Sequence, residues 1–178
     1  MIDSVVWKEK LEQDLRSLKK RSTQRRWSIR SMDLFERELI LLFCAIRCLI
    51  EAGKLTDSLI QREYECTAYP NKGEIVDDHT KYLVEENYDL DAGVRNKFSL
   101  RFLANQFVHA YVIYPDFWIS EEISGVLVCS DWEKYNSLLQ ISFNVLIRIV
   151  EDVVTDEVTK VIFERDKKSG EMRKTIVS

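Results

Sequence analysis

Three polar side chains recur at intervals of four residues within the apolar segment 100–114. Arg101, Asn105 and His109 occupy positions i, i+4 and i+8, which share one face of an α-helix. A neutral histidine can take a proton from a hydroxyl, an arginine can hold a phosphate through two hydrogen bonds, and an asparagine can orient either group. Together these side chains could cleave RNA without a metal, with the ribose 2′-hydroxyl as the internal nucleophile. The alternative is a buried hydrogen-bonded network that serves stability alone.

A fourth candidate side chain lies in another apolar segment. Arg47 is the only charged residue between Glu38 and Glu51. Its spacing predicts an ion pair with Glu51, four residues on. Alternatively, if two buried helices pack side by side, Arg47 could supply a second cation to the polar stripe.

The segment 103–109, Leu-Ala-Asn-Gln-Phe-Val-His, resembles the motif of HEPN domains, which are small helical modules of toxin–antitoxin, phage-defence and RNA-processing systems. Asn105, Phe107 and His109 match one common form of that motif, whereas Ala104 occupies the position of its arginine. Arg101 is the nearest basic residue, with seven residues between it and His109. The resemblance implies a metal-independent endoribonuclease with its site across a homodimer, or an inactive relative that acts as a binding or antitoxin-side partner.

The segment 16–30 is strongly basic although the whole chain carries a net charge of −4. It contains seven Lys and Arg residues, and no acid occurs between Asp14 and Asp33. An aromatic side chain among arginines can stack on a base while the guanidinium groups contact phosphates. The candidate nucleic-acid contacts are Arg21, Arg25, Arg26, Trp27 and Arg30. The alternatives are a solvated helix face or a contact with the acidic segment 74–91 of a second copy.

Hydrophobic periodicity predicts the elements that position these residues. Apolar residues at helical spacing predict a first helix from Ser4 to about Lys20. Asp33 and Glu36 have the spacing of an N-cap and its reciprocal partner, and Gly53 suits the residue after a helix end, so we predict a second helix between them. A short helix after Thr56, a surface loop with a helical turn near 81–86, and a buried helix from Arg95 to Tyr114 should follow.

Beyond Pro115 the pattern favours strands. Residues 125–129 and the segment around Leu139 and Ile141 predict a pair of strands, followed by a helix from Phe143 to about Asp156. Residues 158–165 and 171–177 predict a hairpin turned by 166–170, with Gly170 supplying a positive φ. The alternative is a single long helix over 131–156, since Ser130 and Glu133 also have capping-box spacing.

The expected fold is therefore α+β and mainly α, with two long buried helices in a helical core and a small antiparallel β portion toward the C-terminus. We predict one domain over 1–178, in which 1–117 is helical and 118–178 forms the strand, helix and hairpin part. A chain of 178 residues with 46% hydrophobic and 31% charged residues is ordinary for such a domain.

Composition excludes several function classes. No apolar run is long enough to cross a membrane and no signal peptide precedes the first helix, so we expect a cytoplasmic protein without a membrane partner. Four cysteines without a C-x-x-C pair and two histidines predict neither metal nor cofactor. Phosphate-binding glycine loops, nucleophile elbows and zinc-protease motifs are missing from the sequence.

The residues thus favour a HEPN-like module directed at RNA in a toxin–antitoxin or defence setting. If it is an enzyme, its catalytic residues would be His109, Asn105, Arg101 and Arg47. The alternatives are a non-enzymatic interaction or dimerisation module and a single-stranded nucleic-acid binder. The expected partners are RNA and either a second copy or another protein.

Overall fold

The computed structural model describes residues 3–117, 123–165 and 172–177. The helices are α1 (Ser4–Arg21), α2 (Ile29–Glu51), α3 (Asp57–Ile60), α4 (Val84–Asn87), α5 (Leu100–Val108) and α6 (Phe143–Thr155). The strands are β1 (Glu63–Pro70), β2 (Val94–Ser99), β3 (Ala110–Pro115), β4 (Gly125–Ser130), β5 (Ser137–Ser142), β6 (Lys160–Arg165) and β7 (Met172–Val177).

The first two helices form a hairpin. Helix α1 follows the prediction to within one residue, and Ser22 ends it by donating its backbone N–H to the Leu18 carbonyl. Helix α2 begins five residues earlier than predicted, because Ser28 and Ser31 form a reciprocal capping box. The predicted N-cap role of Asp33 is therefore wrong. Gly53 ends α2 as predicted, with φ at +64°.

We predicted a surface loop after the short helix that follows Thr56, and the first half of this loop prediction is wrong. The short helix α3 is present, but a strand, β1, follows it. Buried Tyr64, Cys66 and Ala68 alternate with more exposed residues along β1, which is the two-residue period of a half-buried strand. The helical turn predicted near 81–86 is found slightly later, as α4.

The predicted long helix over 95–114 is also wrong, because the segment divides into β2, α5 and β3. Ser99 ends the strand and caps the helix, accepting a hydrogen bond from the Phe102 backbone N–H at 3.3 Å. The helix ends at Val108, and the β-branched and aromatic run Tyr111 to Tyr114 continues as a strand.

The five-stranded sheet has the order β2-β1-β5-β4-β3 and is antiparallel throughout. Strands β4 and β5 pair as the sequence predicted, with Val126 opposite Ile141 and Val128 opposite Leu139. Because residues 131–136 form turns before β5, the alternative of one helix over 131–156 is wrong, and α6 takes the predicted place. Strands β6 and β7 form the predicted hairpin, whereas its turn at 166–170 lies outside the described residues.

The two faces of the sheet are covered differently. One face packs under the helices, in a core that runs from Leu11 on α1 to Val153 on α6. Helix α1 packs on α6 and α2 packs on α5, so the helices form a layer over that face. Part of the other face is covered by segment 71–93, through Val76, Val84 and Tyr88.

The prediction that the α+β fold is mainly α is therefore wrong. Seven strands stand beside six helices in the described part of the chain, and a five-stranded sheet forms its centre. Three of those five strands lie before residue 118, in the part predicted to be helical. The error arose where short apolar runs fit both a helix and a strand, as in β3, and where a polar alternating strand, β1, looked like a loop. No helix in the described ranges is long and apolar enough to cross a membrane.

Candidate functional site

The predicted polar stripe follows α5 but does not form one site. Arg101 lies in the first turn and Asn105 one turn later, whereas His109 is the residue after the helix end. At a rise of about 1.5 Å per residue, Arg101 and His109 are separated by about 12 Å along the helix axis. His109 is exposed, and its ring lies 5.0 Å from that of Trp132, also exposed.

Helices α2 and α5 bring the two predicted arginines together around one carboxylate. The Arg47 guanidinium lies 2.7 Å from Glu51 Oε1, and the Arg101 guanidinium lies 3.4 Å from the same oxygen. The predicted pair of Arg47 with Glu51 is therefore confirmed. The proximity of Arg47 to the stripe is also observed. Glu51 already contacts both guanidinium groups, and it offsets one of their two positive charges.

We call the contact between α2 and α5 around Glu51 the seam. Two side-chain atoms of the seam lack hydrogen-bond partners. They are Nη1 of Arg47 and Oδ1 of Asn105, both of which are buried and have no partner within the described part of the chain. Nearby, Phe43 of α2 stacks on Phe107 of α5, with ring centroids 3.9 Å apart and planes within 2°. Aromatic packing thus brings α2 and α5 into close contact beside the polar stripe.

The basic segment lies where α1 turns into α2. Five of its cations are exposed and form no ion pair with any described residue; we call them the basic cluster, which consists of Arg16, Lys20, Arg25, Arg26 and Arg30. The other two are paired, since Lys19 lies 2.6 Å from Glu151 and Arg21 lies 3.1 Å from Glu38.

Trp27, the residue predicted to stack on a base, packs against the core of the fold. Its ring is partly buried and packs edge-on against Phe35, with centroids 5.5 Å apart. Its Nε1–H donates to the Gln24 carbonyl at 2.9 Å, and the Arg21 guanidinium lies 5.8 Å from its ring. The indole therefore fixes the connector to the core, and base stacking would require it to leave that position.

An open groove runs between α1 and α2. Its volume is about 660 Å³, and Leu18, Phe35, Leu39 and Leu42 form its buried floor. Sequence reasoning missed it, because each helix shows an ordinary apolar face. The signal that could have found it is Leu41, which extends the apolar run of α2 beyond the width of a single buried stripe.

The side-chain carboxyl of Glu36, on α2, has a raised pKa. Burial, with a smaller contribution from nearby Asp33, raises the pKa of Glu36 from 4.5 to about 7. The same two residues were predicted to cap the helix. They instead place two carboxyls close together within it, on a surface partly removed from water.

Comparison with protein families, with curated proteins and with solved structures finds no match to this chain. The HEPN resemblance and the ribonuclease hypothesis therefore stay predictions that depend on the residues 103–109. Function has to be argued from the surfaces of the molecule itself.

Proposed function

We propose that this protein binds single-stranded RNA through its phosphates, at the basic cluster along the end of α1, the connector and the start of α2. The observation that carries the proposal is the pairing of charges. Five exposed cations occur within fifteen residues, and no described carboxylate neutralises them. Unpaired lysines and arginines release the counterions of a polyanion when they bind it, which is the main source of non-specific affinity.

The local structure supports a phosphate contact more than a base contact. Arginines at the end of a helical hairpin can follow a flexible backbone, whereas the only aromatic ring of the connector is packed against Phe35. Binding should therefore depend little on sequence and should have a dissociation constant of about 1–100 μM near physiological salt. The proposal follows the RNA-directed class of the sequence analysis without requiring catalysis.

The test is a salt series with labelled oligouridylate, because uracil stacks weakly and phosphate contacts then dominate. If three cations contact phosphates, the logarithm of the binding constant should fall with the logarithm of salt with a slope of about −2. The double variant Arg25→Ala/Arg26→Ala should flatten that slope by about 1.4 and weaken binding at low salt about tenfold or more.

The matched control removes two cations from the far edge of the sheet. Arg95 and Lys97 are exposed on β2, and Arg95 lies 3.7 Å from Glu65. The variant Arg95→Ala/Lys97→Ala should bind oligouridylate like the wild type. Absence of binding at low ionic strength, or equal losses in the two double variants, would refute the proposal.

A further inference from the structure

The groove between α1 and α2 is an apolar surface that the chain does not fill. Trp7 and Leu18 line it from α1, and Phe35, Leu39 and Leu42 line it from α2. At its mouth Val6 and Leu41 remain 60% and 54% exposed. Helix α1 packs mainly on α6 and α2 mainly on α5, and the two helices contact each other less extensively.

One cation on the rim of the groove has no ion-pair partner among the described residues. Each carboxylate there has a cation from this chain, since Asp14 pairs with Lys10 and Glu38 pairs with Arg21. Arg37 is exposed on the same rim and forms no ion pair with a described residue. Among the lining residues, Leu18 and Phe35 are the ones closest along the two helices to the connector, which carries Arg25 and Arg26 of the basic cluster.

We propose that this groove receives an amphipathic helix from a partner protein, with acidic residues flanking its apolar stripe. The apolar lining on α2 extends from Phe35 to Ala45, which corresponds to about 15 Å, or about three helical turns. That length fits apolar anchors at positions i, i+3 or i+4 and i+7 of a bound helix. A third helix that lies between α1 and α2 would cover the apolar floor of the groove.

Charge complementarity identifies the flanking residues. Carboxylates on the partner would face Arg37 along the groove and the basic cluster at its end, whereas a basic helix would meet uncompensated cations. The acidic residues should therefore be concentrated at the end of the partner helix that lies next to the connector. A partner bound this way would cover part of the basic cluster, so it should compete with RNA for it.

The experiment uses the full chain and a synthetic peptide as the probe. The peptide carries leucine at positions i, i+3, i+4 and i+7 of a three-turn helix and glutamate at the flanking positions, and its binding is followed by fluorescence anisotropy. A peptide with lysine in place of glutamate is the charge control. We expect the glutamate peptide to bind and the lysine peptide to bind at least about tenfold more weakly.

Two variants locate the binding surface. Leu41→Asp introduces a charge at the mouth of the groove and should weaken the glutamate peptide about tenfold. Val94→Asp makes the same kind of change at a residue on β2 that is 57% exposed, and it should have no effect. Neither change removes a buried side chain, so both variants should fold; circular dichroism and the melting temperature confirm this.

Three results would overturn the proposal. They are equal binding of the two peptides, equal affinity of the wild type and Leu41→Asp for the glutamate peptide, and a dimer in sedimentation equilibrium that Leu41→Asp dissolves. The last result would assign the groove to a second copy. The RNA proposal fails separately, because Leu41→Asp should leave oligouridylate binding unchanged whereas Arg25→Ala/Arg26→Ala should not.

Discussion

The two long sides of α2 differ in how they are covered and in how their charges are paired. Toward α5, Phe43 stacks on Phe107 and the guanidinium groups of Arg47 and Arg101 share the carboxylate of Glu51. Toward α1, Leu41 is largely exposed and Arg37 has no ion-pair partner among the described residues. One side is closed and both of its arginines contact a carboxylate, whereas the other is open and carries an arginine without an ion-pair partner among the described residues.

This difference shows that pairing, more than position in the sequence, decides which cations are available. Arg47 stands out in the sequence because it interrupts an apolar run, yet the fold gives it a carboxylate four residues away. The arginines of the connector are less conspicuous, since they occur in a polar segment. They remain unpaired because no acid lies near them along the chain and the fold brings none among the described residues.

Truncating one apolar side chain on each side of α2 tests most directly whether the two sides differ in packing. Phe107→Ala removes half of a fully buried aromatic stack and should lower the free energy of unfolding by about 3–5 kcal/mol. Leu41→Ala, on the open side, should change it by no more than about 0.5 kcal/mol. Urea denaturation followed by circular dichroism measures both. Similar losses in the two variants would mean that the groove is part of the core.

The sequence predicted the elements that have one clear signal. Helix α1 has a single apolar face, α2 is apolar over three turns and ends at Gly53, and α6 follows a strand and a serine cap. Strands β4 and β5 were found because their apolar residues alternate or run continuously between turns. In each case local periodicity agrees with the tertiary structure, although the predicted start of α2 was five residues too late.

Segment 95–114 could not be predicted in the same way. Its apolar residues satisfy a helical wheel, but pairing of Val94 to Ser99 with β1 and of Ala110 to Pro115 with β4 stabilises strands on both sides of a short helix. Such pairing depends on residues that are remote in the sequence. The groove between α1 and α2 was missed for the same reason, because it is formed by two helices together.

A smaller effect should come from the carboxyl on the connector half of α2. The pKa of Glu36 is about 7 in the folded chain against about 4.5 in the unfolded chain, so the folded state binds this proton more tightly. The stability of the fold should therefore decrease as the pH rises from 4.5 to 7 and stay level above 7 with respect to this group. Because the side chain is only partly buried, we expect a loss of about 1 kcal/mol.

Glu36→Gln removes that titration and should make the protein more stable than the wild type at pH 8, with little difference at pH 4.5. The measurement is the free energy of unfolding of both proteins across this range. Glu12→Gln, at an exposed position on α1, is the control and should keep the pH dependence of the wild type. A pH dependence that survives in Glu36→Gln would show that another group is responsible.

The smallest effect is expected at His109, on which the predicted ribonuclease site depends. His109→Ala should leave RNA unchanged in length, because we expect no cleavage by the wild type either when RNA is incubated with it in excess chelator. His109 lies beyond the end of α5 and is exposed, and the two nearest predicted cations on α2 and α5 are already paired with Glu51. A general base alone does not supply the cation that would stabilise the charge developing on the phosphate during cleavage.

The measurement is gel analysis of a mixed RNA with wild type, His109→Ala and Arg47→Met. Metal-free cleavage by the wild type that both variants abolish would instead establish the ribonuclease, and would show that the ion pairs of the seam open when RNA binds.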